Sequence, residues 1–523
     1  MSPSSENTSL KSQYFTKRNL AFLGMIVGMF MSILDIQIVA SSLPVIAAGL
    51  SATQDELSWI QTAYIIAEVA IIPLTGFTAK LLSTRISYTI ATLGFTLMSI
   101  LCAFAANIES MILYRAFQGF FGGAMIPTVF ATIYLVFEPD ERPLVTVVIG
   151  LVVTMAPTLG PTIGGYITEI SSWHFMFLVN VIPGIFVCSV VFLYADFDKP
   201  NYSMLKNFDF IGVILLISSL GSLQYVLEEG TRKNWFESNL ILSLSIYVIC
   251  AFIMLIHHEL TTKHPILDLY AFKNRNFTIG CILSGVIGTG LYGSVFLLPI
   301  FLGQVAHLTT LQIGVIMGVM GISQFFSAPV AAAMMKKNVD RRLMMTFGIL
   351  AYGIGCYLNN SLTAESRLHE LILPQIVRGF SLMFCFIPIN DIALSSLSKS
   401  EVQNASGLYN LMRNLGGATG LAIINSTLTN NGVIYRDILA NHIETTSEIA
   451  KNNLLQIASL ISDKVINSDL GAITIINNLL IREAFIISIN NMFTHISLLY
   501  FLALILIIFV KKLEPGNNET NAH

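Results

Sequence analysis

The sequence predicts an all-α membrane protein of fourteen transmembrane helices with both termini cytoplasmic. Three observations predict it: the composition, the spacing of apolar runs, and the side on which basic residues fall. Of 523 residues, 54% are hydrophobic and only 11% charged, with a mean hydropathy of +0.72. A soluble chain needs roughly a quarter of its residues charged to cover its surface. This chain is instead divided into repeated apolar stretches of about 20 residues, the length that crosses a hydrocarbon core of about 30 Å. The net charge of −3 gives no support for a nucleic-acid partner.

In chain order, residues 1–18 read as a cytoplasmic tail without a cleavable-signal pattern. The first apolar segment is too long for a signal core, so it stays as a span. Spans are expected near 19–42, 57–79, 87–106, 109–135, 145–168 and 174–194, then near 208–228 and 239–258. The last six fall near 276–303, 310–335, 343–360, 371–397, 405–428 and 486–510. With the N-terminus inside, the cytoplasmic segments collect 18 Lys and Arg, while the short outer loops hold only Arg232, Lys233 and Arg367. That asymmetry is a strong positive-inside signal.

The chain also repeats itself. Span 2 carries Pro73 with Lys80 seven residues on, and span 10 carries Pro329 with Lys336 at the same distance. Spans 4 and 12 each carry an Arg (Arg115, Arg378) and reach an Ile-Pro pair, Ile126-Pro127 and Ile387-Pro388. Two matches in one order suggest duplicated six-helix bundles with spans 7 and 8 inserted between them. In such a layout the substrate site lies near the midplane between the halves. The expected division is 19–200 for the first bundle, 201–270 for the insert and 271–428 for helices 9–13 of the second bundle. An outer segment at 429–485, a last helix at 486–512 and a cytoplasmic tail at 513–523 complete it. The outer segment fits an amphipathic hairpin on the outer face and a disordered tether equally well.

An ionisable side chain within the bilayer costs roughly 2.5–3.5 kcal/mol on insertion scales, so each one needs a reason. Asp35 lies about seven residues before the outer end of span 1, and Arg115 about seven after the outer start of span 4, which puts both roughly 10 Å deep. Glu68 lies near mid-depth in span 2. One reading is a proton site, because poor solvation favours a protonated carboxyl and a nearby Arg opposes it. The other is a static ion pair joining two helices. Arg378 sits at the matching depth in the second half with no acid on span 9, open to carbonyl hydrogen bonds or to an anionic substrate group. Glu228, Glu229 and Asp391 fall at span ends, where solvation explains them.

Span 5 carries Ala156, Gly160 and Gly164 at intervals of four, a flat face for close helix approach. Pro161 removes a backbone donor and is expected to kink it, so generic packing and a gate both fit. His257, His258 and His264 form an interfacial cluster; metal binding is the lesser reading. The six cysteines lie in apolar runs with no CxxC pair, as small hydrophobic filler. No phosphate-binding loop or catalytic constellation is present, so neither ATP hydrolysis nor an enzyme is expected, and no cofactor.

The segment Leu34–Pro44, containing Asp35, resembles the helix-1 motif of the major facilitator superfamily, in its fourteen-helix drug:proton antiporter branch of the EmrB/QacA type. Leu113-Tyr-Arg115-Ala-Phe-Gln118-Gly119 resembles the helix-4 motif, and Gly160-Pro161-Thr-Ile-Gly164-Gly165 the helix-5 antiporter motif. The stretch from Trp173 through Asn180 to Gly184, and Arg413 to Gly417, also fit. The resemblance implies proton coupling through Asp35, Arg115 and Gln118, to which depth adds Glu68, and gating at Gly160, Pro161, Gly164 and Gly165. It departs in the cytoplasmic loop Gly76 to Arg85, where Lys80 stands in place of the usual Asp, and this places the chain nearer EmrB. It further implies efflux of lipophilic compounds across a bacterial inner membrane, with a periplasmic adaptor and an outer-membrane channel as partners. A dedicated exporter of one physiological compound is the alternative within this class. A non-transporting receptor or scaffold is the alternative outside it.

Overall fold

Helix starts are written locally into the sequence. Thr53 and Glu56 form a capping box, as do Asn107 with Ser110 and Thr309 with Gln312. Each satisfies backbone donors that the first turn leaves open. Asp209, Asn274 and Asp340 cap three further helices through single side-chain acceptors. A computed structural model describes residues 3–138, 140–263, 265–441, 448–461 and 467–512, and these are helical with short connections.

The helices are α1 (Pro3–Leu50), α2 (Gln54–Ile71), α3 (Thr75–Leu82), α4 (Thr84–Ala103), α5 (Ile108–Val136), α6 (Arg142–Ile170), α7 (His174–Leu178) and α8 (Val181–Tyr194). They continue with α9 (Phe210–Glu229), α10 (Asn239–Thr261), α11 (Arg275–Gln304), α12 (Thr310–Lys336), α13 (Arg341–Tyr357) and α14 (Leu368–Ser395). The last are α15 (Lys399–Asn441), α16 (Glu448–Ile461) and α17 (Ser468–Ile508). Span 2 is split because Pro73 has no N–H to donate, and a 3-10 turn at Ile72–Leu74 joins α2 to α3. Span 6 is split at Asn180, between α7 and α8. α6, by contrast, stays one helix through Pro157 and Pro161.

Among the described residues, twelve helices are long and apolar enough to cross a membrane. The two expected spans outside that set have physical reasons. α13 has only 17 residues. α15 is polar, carrying Gln403, Asn404, Asn410, Arg413, Asn414 and Asn425. Both pack against other long helices nonetheless: α13 on α14 and α17, α15 on α11, α17 and α5. Outward-facing apolar residues such as Leu93, Leu97, Ile182 and Ile185 form a surface suited to lipid.

α1 packs on α6 and α8, α5 on α2 and α4, and α8 on α4. α14 packs on α12 and α13, and α11 on α15. These two sets meet along α6 with α12, and where α15 crosses α3 and α5. α9 and α10 pack on each other, and α9 leans on α2. Beyond the membrane-length part, α15 has 43 residues and α17 has 41. At 1.5 Å per residue each is roughly 60 Å long, about twice the hydrocarbon thickness. The described part of 429–485 is therefore helical and largely continuous with these two helices, with α16 packed on α17.

The short turn between α3 and α4 is held by an acid from further along the chain. Lys80 lies in the last turn of α3, and the carboxylate comes from Asp198, after α8. Asp198 accepts from Thr84 N at 2.8 Å and from Thr84 Oγ1 at 2.9 Å, capping α4. Asp198→Ala is expected to lower stability by about 1 kcal/mol, the worth of a helix cap. A thermal-unfolding midpoint in detergent equal to wild type would remove that role.

Candidate functional site

Two sites emerge, a sealed polar network and an open cavity. In the network, Asp35 from α1 and Arg115 from α5 are wholly buried and paired, Arg115 Nη1 to Asp35 Oδ2 at 2.5 Å. The same nitrogen donates to Gln118 Oε1 at 2.7 Å, and Arg115 Nε donates to the Ile60 carbonyl at 3.1 Å. Gln118 Nε2 donates to Ser99 Oγ at 2.7 Å and to Asp35 Oδ1 at 3.2 Å. Asn180 Nδ2 donates to Asp35 Oδ1 at 2.7 Å. The Tyr64 ring lies 4.2 Å below the guanidinium, close enough for cation–π attraction. Arg115 Nη2 has no partner among the described residues.

Five elements therefore meet in one network, and α5 and the α7–α8 break touch the Asp35 carboxylate itself. Small residues allow it: a Cβ on Gly119 would run into the Tyr64 carbonyl, and one on Gly122 would lie 2.7 Å from Ser32 Oγ. These glycines let α5 approach α2 and α1 closely. Asn180 reaches Asp35 because the chain breaks there between α7 and α8.

Glu68 does not join the network. It lies one turn beyond Tyr64 and lines a cavity of about 340 Å³ bounded by α1, α2, α9, α11 and α15. Arg413 is buried between the rings of Phe130 and Phe386, at 5.3 and 5.6 Å, and donates to Asn410 Oδ1 at 2.5 Å. The cavity lies toward the end where α9 finishes. At the other end the helix sets touch: a Cβ on Gly76 would lie 2.7 Å from both Asn404 Oδ1 and the Gln403 carbonyl. A second cavity, about 620 Å³, lies at that other end between α1, α6 and α12, and Arg18 on its rim is paired with Glu141 at 2.9 Å.

The remaining expected residues are placed as follows. Gly160 faces α1, where a Cβ would strike Gln37; Gly164 is buried, while Pro161 and Gly165 are half-buried in α6. Lys80 and Arg85 are half-buried, with Arg85 5.9 Å from the Phe192 ring. Arg378 is wholly buried and does not border the 340 Å³ cavity; it donates to Gln375 Oε1 at 3.3 Å and lies beside Tyr352 and Phe493. His258 Nε2 sits 2.8 Å from both oxygens of Asp209, His257 is exposed, and His264 lies outside the described residues. All six cysteines are free.

Sequence reasoning missed Ser99 and Tyr64 in the network, and Asn180 as a partner of Asp35. A buried Asn in an apolar run carried a signal. A Ser and a Tyr in such runs carry none.

A helical body in the membrane, with a charged network beside a mixed apolar and polar cavity, has the build of a solute transporter. A model described as Major Facilitator Superfamily matches residues 25–421, and the chain belongs to that superfamily. It is a multi-pass transporter of the bacterial inner membrane, EmrB-like, and not an enzyme. This membership favours a transporter over the alternative of a non-transporting receptor or scaffold. The chain is 39% identical to the colistin resistance protein EmrB of Acinetobacter baumannii, over 94% of this chain and 96% of that one. It is 30% identical to the fatty acid resistance protein FarB of Neisseria gonorrhoeae, over 96% and 98%. The multidrug export protein EmrB of Escherichia coli is 28% identical over 82% and 84%. The human organic anion transporter MFSD10 shares the fold, with a TM-score of 0.58 at 13% identity over 94% and 99%.

Proposed function

We propose that the chain exports lipophilic compounds by proton antiport, with alternating access of one cavity. The observation that carries this reading is the buried Asp35, held at once by Arg115, Gln118 and Asn180. A proton on Asp35 cancels its attraction for Arg115, so protonation changes how α1, α5 and α8 hold together. Glu68 connects this network to the cavity through one turn of α2. Each proton moving down 100 mV supplies roughly 2.3 kcal/mol, enough for a substrate gradient of about fiftyfold. Gly160, Pro161, Gly164 and Gly165 are the gating segment in this reading, and Gly76, Lys80 and Arg85 belong to the cytoplasmic contact that closes one end. Arg378 would meet substrate only in another state of the cycle.

The reading includes fourteen spans with both termini cytoplasmic, α13 and α15 crossing beside the twelve apolar helices. It also includes two six-helix bundles, 19–200 and from 271 onward, with 201–270 inserted. The helical projection of α15, α16 and α17 then stands on the periplasmic side. There it suits a periplasmic adaptor leading to an outer-membrane channel, as in a tripartite pump. Exposed Val433, Ile434, Leu455 and Leu460 supply apolar contact surface for that adaptor.

Proton release on adding substrate to purified protein tests the coupling. Wild type is expected to release about one proton per transporter in weak buffer, and Asp35→Asn none. Substrate binding without proton release in wild type would sink the reading. A dedicated exporter of one physiological compound remains the alternative, and export of a single compound from a broad panel would favour it.

A further inference from the structure

The chain just past α17 is fixed to the start of α11 by a two-way contact. Asn276 Nδ2 donates to the Lys511 carbonyl at 3.1 Å, and Lys511 N donates to Asn276 Oδ1 at 2.9 Å. Lys511 and Lys512 are thereby held beside the connection from α12 to α13. With Asp340, Arg341, Arg342 and, from α14, Ile392, they line a third cavity of about 170 Å³. Four cations and one acid face this space. Asp340 is taken by Arg342 at 3.0 Å. Asp391, which the sequence places at a solvated span end, is taken by Arg341 at 3.1 Å. Lys511 and Lys512 are exposed and form no ion pair among the described residues. Arg275, at the start of α11, adds a further cation 5.6 Å from the Phe509 ring.

The surface leading away from this cavity is apolar and faces outward. Arg341 begins α13 and Lys511 follows α17, and both line the cavity, so the two helices run antiparallel. They pack so closely that a Cβ on Gly353 would lie 2.7 Å from the Phe501 ring. That contact fixes their register. Counted back toward the cavity, Leu350 falls within about 3 Å in depth of Leu502, Phe347 of Ile505 and Leu343 of Phe509. All six are exposed, and on each helix they recur every three or four residues, which makes one stripe per helix. Both stripes end at the basic cavity. A pocket of cations at the membrane surface, with paired apolar stripes running from it, matches a phosphate headgroup on two acyl chains. A headgroup that carries its own cation is repelled by the same four charges.

We propose that this cavity binds the headgroup of an anionic phospholipid, whose acyl chains lie along α13 and α17. Lys511 and Lys512 are the contacts that select for a net negative head. The bound lipid ties the α12–α13 connection to the end of α17. The proposal stands apart from proton coupling and from export.

The test places full-length protein in nanodiscs of equal parts dioleoylphosphatidylglycerol and dioleoylphosphatidylcholine, and counts the lipids it retains by native mass spectrometry. Wild type retains phosphatidylglycerol in at least about fivefold excess over phosphatidylcholine. Lys511→Gln with Lys512→Gln lowers that excess at least about threefold, because two cations at the headgroup are lost. Lys511→Arg with Lys512→Arg keeps the charge and the excess, which separates a lost charge from a disturbed helix end. Lys199→Gln with Lys206→Gln removes the same charge from exposed lysines before α9 and leaves the excess unchanged. No excess in wild type overturns the proposal, as does no change in the Lys511 and Lys512 glutamine pair. An equal loss in both glutamine pairs overturns it too, by assigning the excess to general attraction at a basic face. Inorganic phosphate that abolishes the retained excess makes the cavity a free-phosphate site and removes the lipid.

Discussion

Asp35→Asn is expected to abolish ΔpH-driven export in vesicles, by at least about a hundredfold, while the protein still inserts and folds. Asparagine keeps the shape and one acceptor oxygen, so the donors Asn180 Nδ2 and Gln118 Nε2 retain a partner. It removes the charge that Arg115 faces and the site that takes a proton. Leaving a buried cation unpaired costs about 3–5 kcal/mol in typical cases. Here Arg115 keeps the Ile60 carbonyl, Gln118 Oε1 and the Tyr64 ring, so a lower melting temperature is expected and not unfolding. Substrate exchange without a gradient should persist, because the cavity lies outside the network. Export driven by ΔpH at the wild-type rate in the mutant would rule out Asp35 as the coupling carboxylate. A static ion pair predicts a different pattern, with stability lost and coupling kept.

Gly160→Leu is expected to lower turnover at least about tenfold while substrate affinity changes less than about threefold. A Cβ at this position already strikes Gln37 of α1, so a leucine pushes α6 away from α1. Gln37 borders the cavity, and Asp35 lies two residues before it on the same helix. The α1–α6 contact is therefore placed to transmit movement between the proton network and the cavity wall. Binding by dialysis and turnover in proteoliposomes separate the two effects. Parallel loss of both would assign Gly160 to packing alone, with no part in gating.

Parts of this site were legible in the sequence for a clear reason. Charge in an apolar run is rare because it is costly, so Asp35, Glu68, Arg115 and Arg378 stand out without any structure. Depth arithmetic along two helices matched Asp35 to Arg115, and the two are paired. Glu68 was equally visible, but its depth did not say which way it faced. Only the rotation of α2 separates Tyr64, against Arg115, from Glu68, on the cavity. Glu228 was visible as a charge and misjudged in setting, and Arg413 was read only as part of a motif. One borders the cavity because α9 leans on α2, and the other is buried because α15 crosses between the two helix sets.

The sequence by itself determined that this is a multi-pass α-helical membrane protein, because backbone groups in lipid must be satisfied within each segment. It also determined where several helices begin, through caps that act over two or three residues. Its hydropathy did not determine the status of α13 and α15, since a short helix and a polar one do not register as spans. Only the tertiary structure decided that one acid, Asp35, sits in a network drawn from five elements while two others, Glu68 and Glu228, face a common cavity. The physical reason is that helix rotation and crossing are set by packing between distant segments, through glycines such as Gly119 and Gly160. A hydropathy pattern records how apolar each helix is, and not which neighbour each face meets.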